Sequence, residues 1–144
     1  MKRFALFAVV VLMACALISS ACQQQQKRVA PAKRTAGLTR VNFDLDRSEI
    51  KSEYESVMKD NAAWIQGHAG TNVTVEGHCD ERGSTEYNIA LGDRRANSAK
   101  KYLANLGVDG KRLSTISYGE ERPLCTQSDE SCWWQNRRAE FVAK

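Results

Sequence analysis

The alternation of apolar and polar residues predicts four β-strands. A period of two runs through residues 71–78, with small or apolar side chains at positions 73, 75 and 77 on one face and polar side chains at 74, 76 and 78 on the other. Shorter apolar runs predict strands at residues 41–45, 113–118 and 139–142.

Two longer segments keep the helical period of 3.6 residues. The first ends at Gly67, and Asp46 with Glu49 three residues later resembles a capping box at its start. The second runs from about Thr85 to Leu106 and is followed by a glycine, which commonly ends a helix. The expected buried face of the first helix is Ile50, Tyr54, Val57, Met58 and Ile65.

Strands and helices alternate, which predicts an α/β (α+β) fold: a two-layer βαβαβ-type sandwich with the helices on one face of a four-stranded sheet. The 144 residues have room for one such domain, which we place at residues 38–144. The formal net charge of +4 is too small and too dispersed for a nucleic-acid-binding surface, and no nucleic-acid motif is present. Nucleic acid is therefore not an expected partner.

Residues 1–21 have the features of a bacterial lipoprotein signal peptide. Two basic residues precede an apolar run from Phe4 to Ile18, which is shorter than a membrane span, and small residues lead to Cys22. The sequence before Cys22 resembles a lipobox, so we expect this cysteine to carry the lipid. Cys15 fits the lipobox better at one position, but cleavage there would retain apolar residues, whereas Cys22 is followed at once by four glutamines. An ordinary cleaved secretory signal is the less favoured alternative.

Residues 22–37 are predicted to form the lipidated N-terminus and a tether. The segment after Cys22 is polar, basic and low in complexity, which is typical of an unstructured linker. Two or more acyl chains would make the membrane anchorage stable.

An arginine on an apolar helix face is the strongest chemical signal in the chain. Arg95 lies on the stripe that includes Leu91, Ala99 and Leu103, where an always-charged side chain needs a partner. Asp80 is the nearest upstream acid that falls at a strand end. The two residues can bind one zwitterionic ligand, or they can form an internal ion pair. The chemistry alone leaves both interpretations open.

The same stretch resembles the OmpA-like peptidoglycan-binding domain family. The resemblance is carried by the pattern TVEGHxDxxGxxxYNxxLxxxRA over residues 74–96, with VNFD at 41–44 before it and NRRA at 136–139 after it. It covers about residues 38–142 and implies the same two-layer architecture. Cys79 stands where family members usually carry alanine or threonine, and the segment from Cys125 to Cys132 replaces a loop that commonly lacks cysteine.

The resemblance also implies a function and partners. It implies non-covalent binding to peptidoglycan through meso-diaminopimelate, with Asp80 accepting from the ammonium and Arg95 donating to the carboxylate. It further implies an outer-membrane lipid anchor with the domain in the periplasm, and an interaction with TolB and other Tol proteins. The residues expected to line or order the pocket are Phe43, Asp44, Arg82, Asn88 and Leu91.

Enzymatic functions fit the pattern less well. His78 and Cys79 are adjacent in a strand, so their side chains point to opposite sides and cannot act as base and nucleophile. His78 and Asp80, with His68, are too scattered to indicate a metal site, and no metal or cofactor is expected. Hydrolysis of peptidoglycan is the second hypothesis, and a protein-interaction scaffold that does not bind the wall is the third.

The remaining cysteines fit an extracytoplasmic location. Cys125 and Cys132 flank a polar hexapeptide and are expected to form a disulfide, while Cys79 is expected to be a buried, unreactive thiol. One of Trp133 and Trp134 is expected to pack in the core.

Overall fold

The computed structural model describes residues 34–35 and 37–144 of the chain. The predicted signal peptide and Cys22 lie outside the described residues. The strands are β1 (Arg34–Thr35), β2 (Leu38–Thr39), β3 (Val41–Asn42), β4 (Val73–His78), β5 (Leu113–Gly119) and β6 (Arg138–Ala143). The α-helices are α1 (Glu55–Gly67), α2 (Thr85–Asn105) and α3 (Glu130–Asn136), and short 3-10 turns occupy Ser52–Tyr54 and Gly110–Arg112.

Four strands form a mixed sheet in the order β3-β6-β4-β5. β4 and β5 are parallel, as expected of strands joined by a crossover helix, here α2. β6 lies between β3 and β4 and is antiparallel to both. The predicted α/β fold class is therefore confirmed. The last strand of the chain, β6, lies in the middle of the sheet.

The core lies between one face of this sheet and helices α1 and α2. Val73 and Val75 of β4 meet Phe141 of β6 and the buried faces of the two helices. The buried positions of α2 recur every three or four residues, as the 3.6-residue period requires. Among the described residues, no helix is both long enough and apolar enough to cross a bilayer.

A pair of glycines lets α2 approach β4 closely. A Cβ atom added at Gly77 would lie 1.8 Å from the carbonyl oxygen of Gly92. Only glycine fits at this contact, which sets the separation between the end of β4 and the middle of α2.

Two expectations about the N-terminal part of the domain are wrong. The predicted capping box does not form, because α1 begins at Glu55, and Asp46 has a positive φ of 56° and accepts a hydrogen bond from the Tyr87 hydroxyl instead. Arg34–Thr35, which falls in the segment predicted to be the tether, pairs with Leu38–Thr39 in a small antiparallel hairpin. The strand predicted at residues 41–45 is also shorter than expected, because β3 ends at Asn42.

Candidate functional site

A small cleft opens where β4 ends and α2 begins. Its volume is about 30 Å³, room for one or two water-sized groups. The loop after β3, the loop after β4, the first half of α2 and the residue before β6 all contribute to it. The lining residues are Leu45, Asp46, Cys79, Asp80, Arg82, Tyr87, Asn88, Leu91, Arg95 and Arg137.

Arg95 is held in the cleft by backbone carbonyls. It is fully buried, and its guanidinium donates to the carbonyl oxygens of Arg47 at 2.8 Å, His78 at 2.8 Å and Asp44 at 3.2 Å. A further contact of 3.3 Å reaches the sulfur of Cys79. None of these acceptors, drawn from the part of the chain that the structure describes, is a carboxylate. The charge of Arg95 is thus solvated by dipoles but not neutralised, and burial lowers the pKa of its guanidinium.

Asp80 lies in the same cleft but has other arginine partners. It is 4% exposed and accepts from the Arg82 guanidinium at 2.6 Å and from Arg137 at 3.0 Å. Burial acts to raise the pKa of Asp80, but the hydrogen bonds from Arg82 and Arg137 outweigh it and hold the pKa below its ordinary value. The structure therefore does not contain the internal Asp80–Arg95 ion pair that was one interpretation of the sequence.

The Asp80 contacts with Arg82 and Arg137 differ in exposure. Arg137 is almost completely buried and also donates to the backbone oxygen of Phe43 at 3.0 Å. The Arg82 side chain is 33% exposed and lies over the ring of Trp133, 4.1 Å from its centroid. Arg137 is therefore a fixed part of the site, whereas Arg82 forms its outer edge.

The disulfide loop contacts one of the arginines that hold Asp80. Cys125 and Cys132 are joined by a disulfide, and Asp129 caps α3 by accepting from the backbone N–H groups of Ser131 and Cys132. Glu130, in the first turn of α3, accepts a hydrogen bond from Arg137. The loop thus fixes a carboxylate against the arginine that holds Asp80.

Cys79 has a polar environment despite its burial. Its thiol donates to the backbone oxygen of Asn88 at 3.3 Å and contacts Arg95. Burial raises the pKa of the thiol to about 11, so the group stays protonated at neutral pH. Cys79 is free and buried, and it contributes to positioning Arg95 rather than acting as an apolar spacer only.

The other predicted site residues divide into two groups. Arg82, Asn88 and Leu91 line the cleft with Asp80 and Arg95. Phe43 and Asp44 do not line it. The Phe43 ring is buried with the Arg95 guanidinium 5.2 Å from its centroid, and the Asp44 carboxylate is exposed and paired with Lys51 at 3.1 Å.

Arg137 is the main site residue that the sequence analysis missed. The signal was the pair Arg137–Arg138 immediately before β6. Arg138 pairs across the sheet with His78, so strand alternation turns the preceding side chain toward the other side, where Asp80 lies. The expectation that Trp133 or Trp134 packs in the core is wrong, because both are partly exposed and the Trp133 indole N–H donates to Glu81.

Residues 42–137 match the OmpA family, and the chain belongs to that family. The resemblance seen in the sequence is therefore confirmed. Among curated proteins, the chain is similar to the peptidoglycan-associated lipoprotein of Brucella melitensis, with 47% identity over 103 residues, or 72% of this chain and 61% of that protein. It is 48% identical over 99 residues to the peptidoglycan-associated lipoprotein of Haemophilus influenzae, or 69% of this chain and 65% of that protein. The alignments thus cover less than two thirds of these relatives.

Solved structures show the same architecture. The crystal structure of the peptidoglycan-associated lipoprotein from Burkholderia pseudomallei superposes with a TM-score of 0.71 at 35% identity, over 73% of this chain and 89% of that chain. The C-terminal domain of Helicobacter pylori MotB gives a TM-score of 0.69 at 23% identity, over 75% of this chain and 85% of that chain, and shows the shared fold alone.

Proposed function

We propose that this chain is a peptidoglycan-associated lipoprotein that tethers the outer membrane to the cell wall. In this proposal its OmpA-family domain binds peptidoglycan non-covalently through the meso-diaminopimelate of the stem peptide. Asp80 accepts from the ammonium group, and Arg95 donates to the carboxylate. The names of the relatives and the shared fold support the general assignment.

The uncompensated charge of Arg95 is the observation that carries the proposal. A guanidinium has five N–H donors. The acceptors of Arg95 account for four of them, and they supply no negative charge. A buried cation without a counter-charge is costly. A ligand carboxylate that enters the cleft supplies that charge and accepts a charge-assisted hydrogen bond.

Asp80 provides the second half of a zwitterion site. Arg82 already bonds both oxygens of its carboxylate, and Arg137 bonds one of them. Because Arg82 is on the outer edge, a ligand ammonium can replace its guanidinium while Arg137 remains in place. The cleft of about 30 Å³ admits the charged end groups of a ligand, not a whole peptide. Displacement of Arg82 is the movement that would widen it.

The anchor and the protein partners complete the proposal. The lipid is carried by Cys22, and the domain of residues 38–144 lies in the periplasm. TolB and other Tol proteins are the proposed protein partners, as in a Tol–Pal system. These points follow from the sequence features and family membership, since residues 1–33 lie outside the described part of the chain.

A wall hydrolase fits the site less well. A glycan hydrolase needs a carboxylic acid that stays protonated near neutral pH, and so a raised pKa. Asp80 has the opposite shift because two arginines hold it ionised. We therefore propose a binding role without catalysis. A scaffold without wall affinity would give the buried Arg95 no ligand.

The proposal is tested by co-sedimentation with purified sacculi, with free meso-diaminopimelate as competitor. Asp80→Asn and Arg95→Lys are each expected to weaken binding more than tenfold, because truncating one member of a buried charged contact costs about 2–5 kcal/mol. Lysine keeps the charge of Arg95 but lacks the planar fork that matches a carboxylate.

Neighbouring exposed residues provide matched controls. Arg94→Lys and Asp93→Asn change the same residue types on exposed positions of α2 and are expected to bind like the wild-type chain. Thermal melting of each variant separates loss of folding from loss of binding. A folded Asp80→Asn variant with wild-type affinity would contradict the proposed site, and an absence of wild-type binding to bare sacculi would favour the scaffold.

A further inference from the structure

Two glutamates face each other across the central strand pair. In the register of β4 and β6, Glu76 lies directly opposite Glu140, and His78 lies opposite Arg138. Like charges at directly opposite positions of an antiparallel pair repel each other. Both glutamate side chains are partly withdrawn from solvent, which strengthens the repulsion. The arrangement therefore favours binding of a cation.

A buried histidine points toward these glutamates. His78 is 1% exposed, and its Nε2 atom lies 3.6 Å from a carboxylate oxygen of Glu76. Within the described residues, neither ring nitrogen of His78 has a hydrogen-bond partner. The ring is enclosed by Tyr118, whose ring stacks on it with a centroid separation of 5.5 Å. Buried polar atoms are nearly always paired, so this imidazole is available as a ligand.

We propose that Glu76, His78 and Glu140 bind a divalent transition-metal ion, with Zn²⁺ as the favoured ion. One ligand atom from each residue lies within 4.8 Å of the other two. Ligand atoms of a tetrahedral zinc site are about 3.3 Å apart, so the two flexible glutamates need to close by about 1.5 Å or less. One imidazole and two carboxylates suit zinc, and three protein ligands leave the fourth position for water or a partner's donor group.

Arg138 is the neighbour that most affects this site. Its Nε donates to Glu140 at 2.7 Å, and its other nitrogens donate to the backbone oxygens of Asn136 and Arg122. Its charge opposes a metal ion, as does that of Arg122, whose guanidinium lies over the Tyr118 ring. The two carboxylates balance the two charges of the ion but not those of the arginines. The bond from Arg138 to Glu140 is the kind of outer hydrogen bond that orients a metal-binding carboxylate. None of the three ligand side chains lines the cleft of Asp80 and Arg95, so the metal site uses different side chains from the proposed wall-binding site. The two sites are neighbours, because the backbone oxygen of His78 accepts a hydrogen bond from Arg95.

The test is a titration of the chain with ZnCl₂, followed by calorimetry and thermal melting. It uses the full chain in detergent, without an affinity tag, and with Cys15 and Cys22 replaced by serine to remove competing thiols. We expect one zinc ion to bind per chain. The melting temperature should rise as zinc is added and fall back to the zinc-free value when EDTA removes the ion. His78→Phe keeps a ring against Tyr118 but offers no ligand atom, and it should weaken binding at least tenfold. Glu140→Gln should weaken binding similarly.

The control is His68→Phe, which makes the same change at the exposed histidine stacked on Trp64. This variant should bind zinc like the parent chain. Cobalt substitution should show no thiolate charge-transfer band, which excludes Cys79 as the ligand. Absence of zinc binding by the parent chain, or binding that both His78→Phe and Glu140→Gln retain, would overturn the proposal. If His78→Phe does not fold, the partly exposed Glu140 position decides the test.

Discussion

Three arginines converge on the cleft, and each is held in a different way. Arg95 is held by backbone carbonyls, Arg137 by two carboxylates and the Phe43 oxygen, and Arg82 by Asp80 and the Trp133 ring. The planar guanidinium, with five donors, can meet several acceptors at fixed angles, which a lysine ammonium does not. These different partners explain why Arg95 has no counter-charge, whereas Arg82 covers the outer edge of the cleft.

The acid sensitivity of the domain should depend on Asp80. Its pKa is lowered in the folded state, so its stabilising contribution is present above the unfolded-state value of about 3.9 and is lost as the pH falls through the folded-state pKa. We expect the wild-type chain to be more stable than Asp80→Asn near neutral pH, with a difference that shrinks below about pH 4. Urea denaturation of both proteins from neutral to strongly acidic pH measures this difference.

Asp93→Asn controls for the removal of one negative charge, because Asp93 is exposed on α2. A stability difference between wild type and Asp80→Asn that stays constant down to the lowest pH would show that Asp80 does not contribute through its charge.

At the scale of elements, the contact between β4 and α2 joins the two halves of the site. Asp80 follows β4 and Arg95 is carried by α2, and the Gly77–Gly92 contact sets the distance between them. Gly77→Ala should push α2 away from β4, because the new methyl group would overlap the Gly92 carbonyl. Overpacking typically costs about 1–3 kcal/mol, and the 1.8 Å approach to the Gly92 oxygen places Gly77→Ala toward the upper end of that range. Denaturant unfolding should show that loss, and sacculus binding should weaken with it.

Gly70→Ala is the matched control, because no atom lies within 4 Å of the added methyl group and the backbone there has an ordinary φ. It should unfold at nearly the wild-type denaturant concentration. Wild-type stability of Gly77→Ala would mean that α2 and β4 are not in close contact in solution.

Long periodic elements could be predicted from the sequence, whereas the short strands β1 and β2 could not. The bounds expected for α2 and the strand of residues 73–78 agree closely with the structure, because 21 helical residues and a six-residue strand repeat their pattern several times. The two-residue strands β1 and β2 have no period to detect. The start of α1 was misplaced because Asp46 uses its carboxylate for Tyr87 rather than for a helix end.

The sequence predicted several residues of the site, but it did not predict which hydrogen bonds and ion pairs they form. Arg95 on an apolar helix stripe indicated a buried charge, and the structure buries it fully. The acceptors of Arg95 could not be predicted, because every residue has a backbone carbonyl and the sequence does not show which of them lie near the guanidinium. Asp80 pairs with Arg82, only two residues away, because the loop turns back on itself. It also pairs with Arg137, which is 57 residues away in the chain and is brought close by the central position of β6.

For the whole molecule, the position of the first core residue determines how the domain is connected to its proposed anchor. Leu38 is already buried in the core, and the hairpin strand begins at Arg34. In the proposed lipoprotein, residues 23–33 separate Cys22 from the hairpin, and 11 residues at about 3.4 Å each would reach at most about 37 Å if they serve as the tether. This reach is shorter than that of the full segment of residues 22–37 predicted from the sequence.

Anchorage and wall binding should be separable by mutation. Because the core begins at Leu38, Cys22→Ser should leave the domain folded and able to bind sacculi, while it removes the acyl chains that contribute about 0.8 kcal/mol per buried CH₂. The variant should leave the membrane fraction and show no lipid in the intact mass of its N-terminus. Cys15→Ser, the matched control, should be processed, lipidated and sedimented with membranes like the wild-type chain. A lipid found on Cys15 would move the start of the mature protein, and membrane retention of Cys22→Ser would show that the domain is held there by another contact.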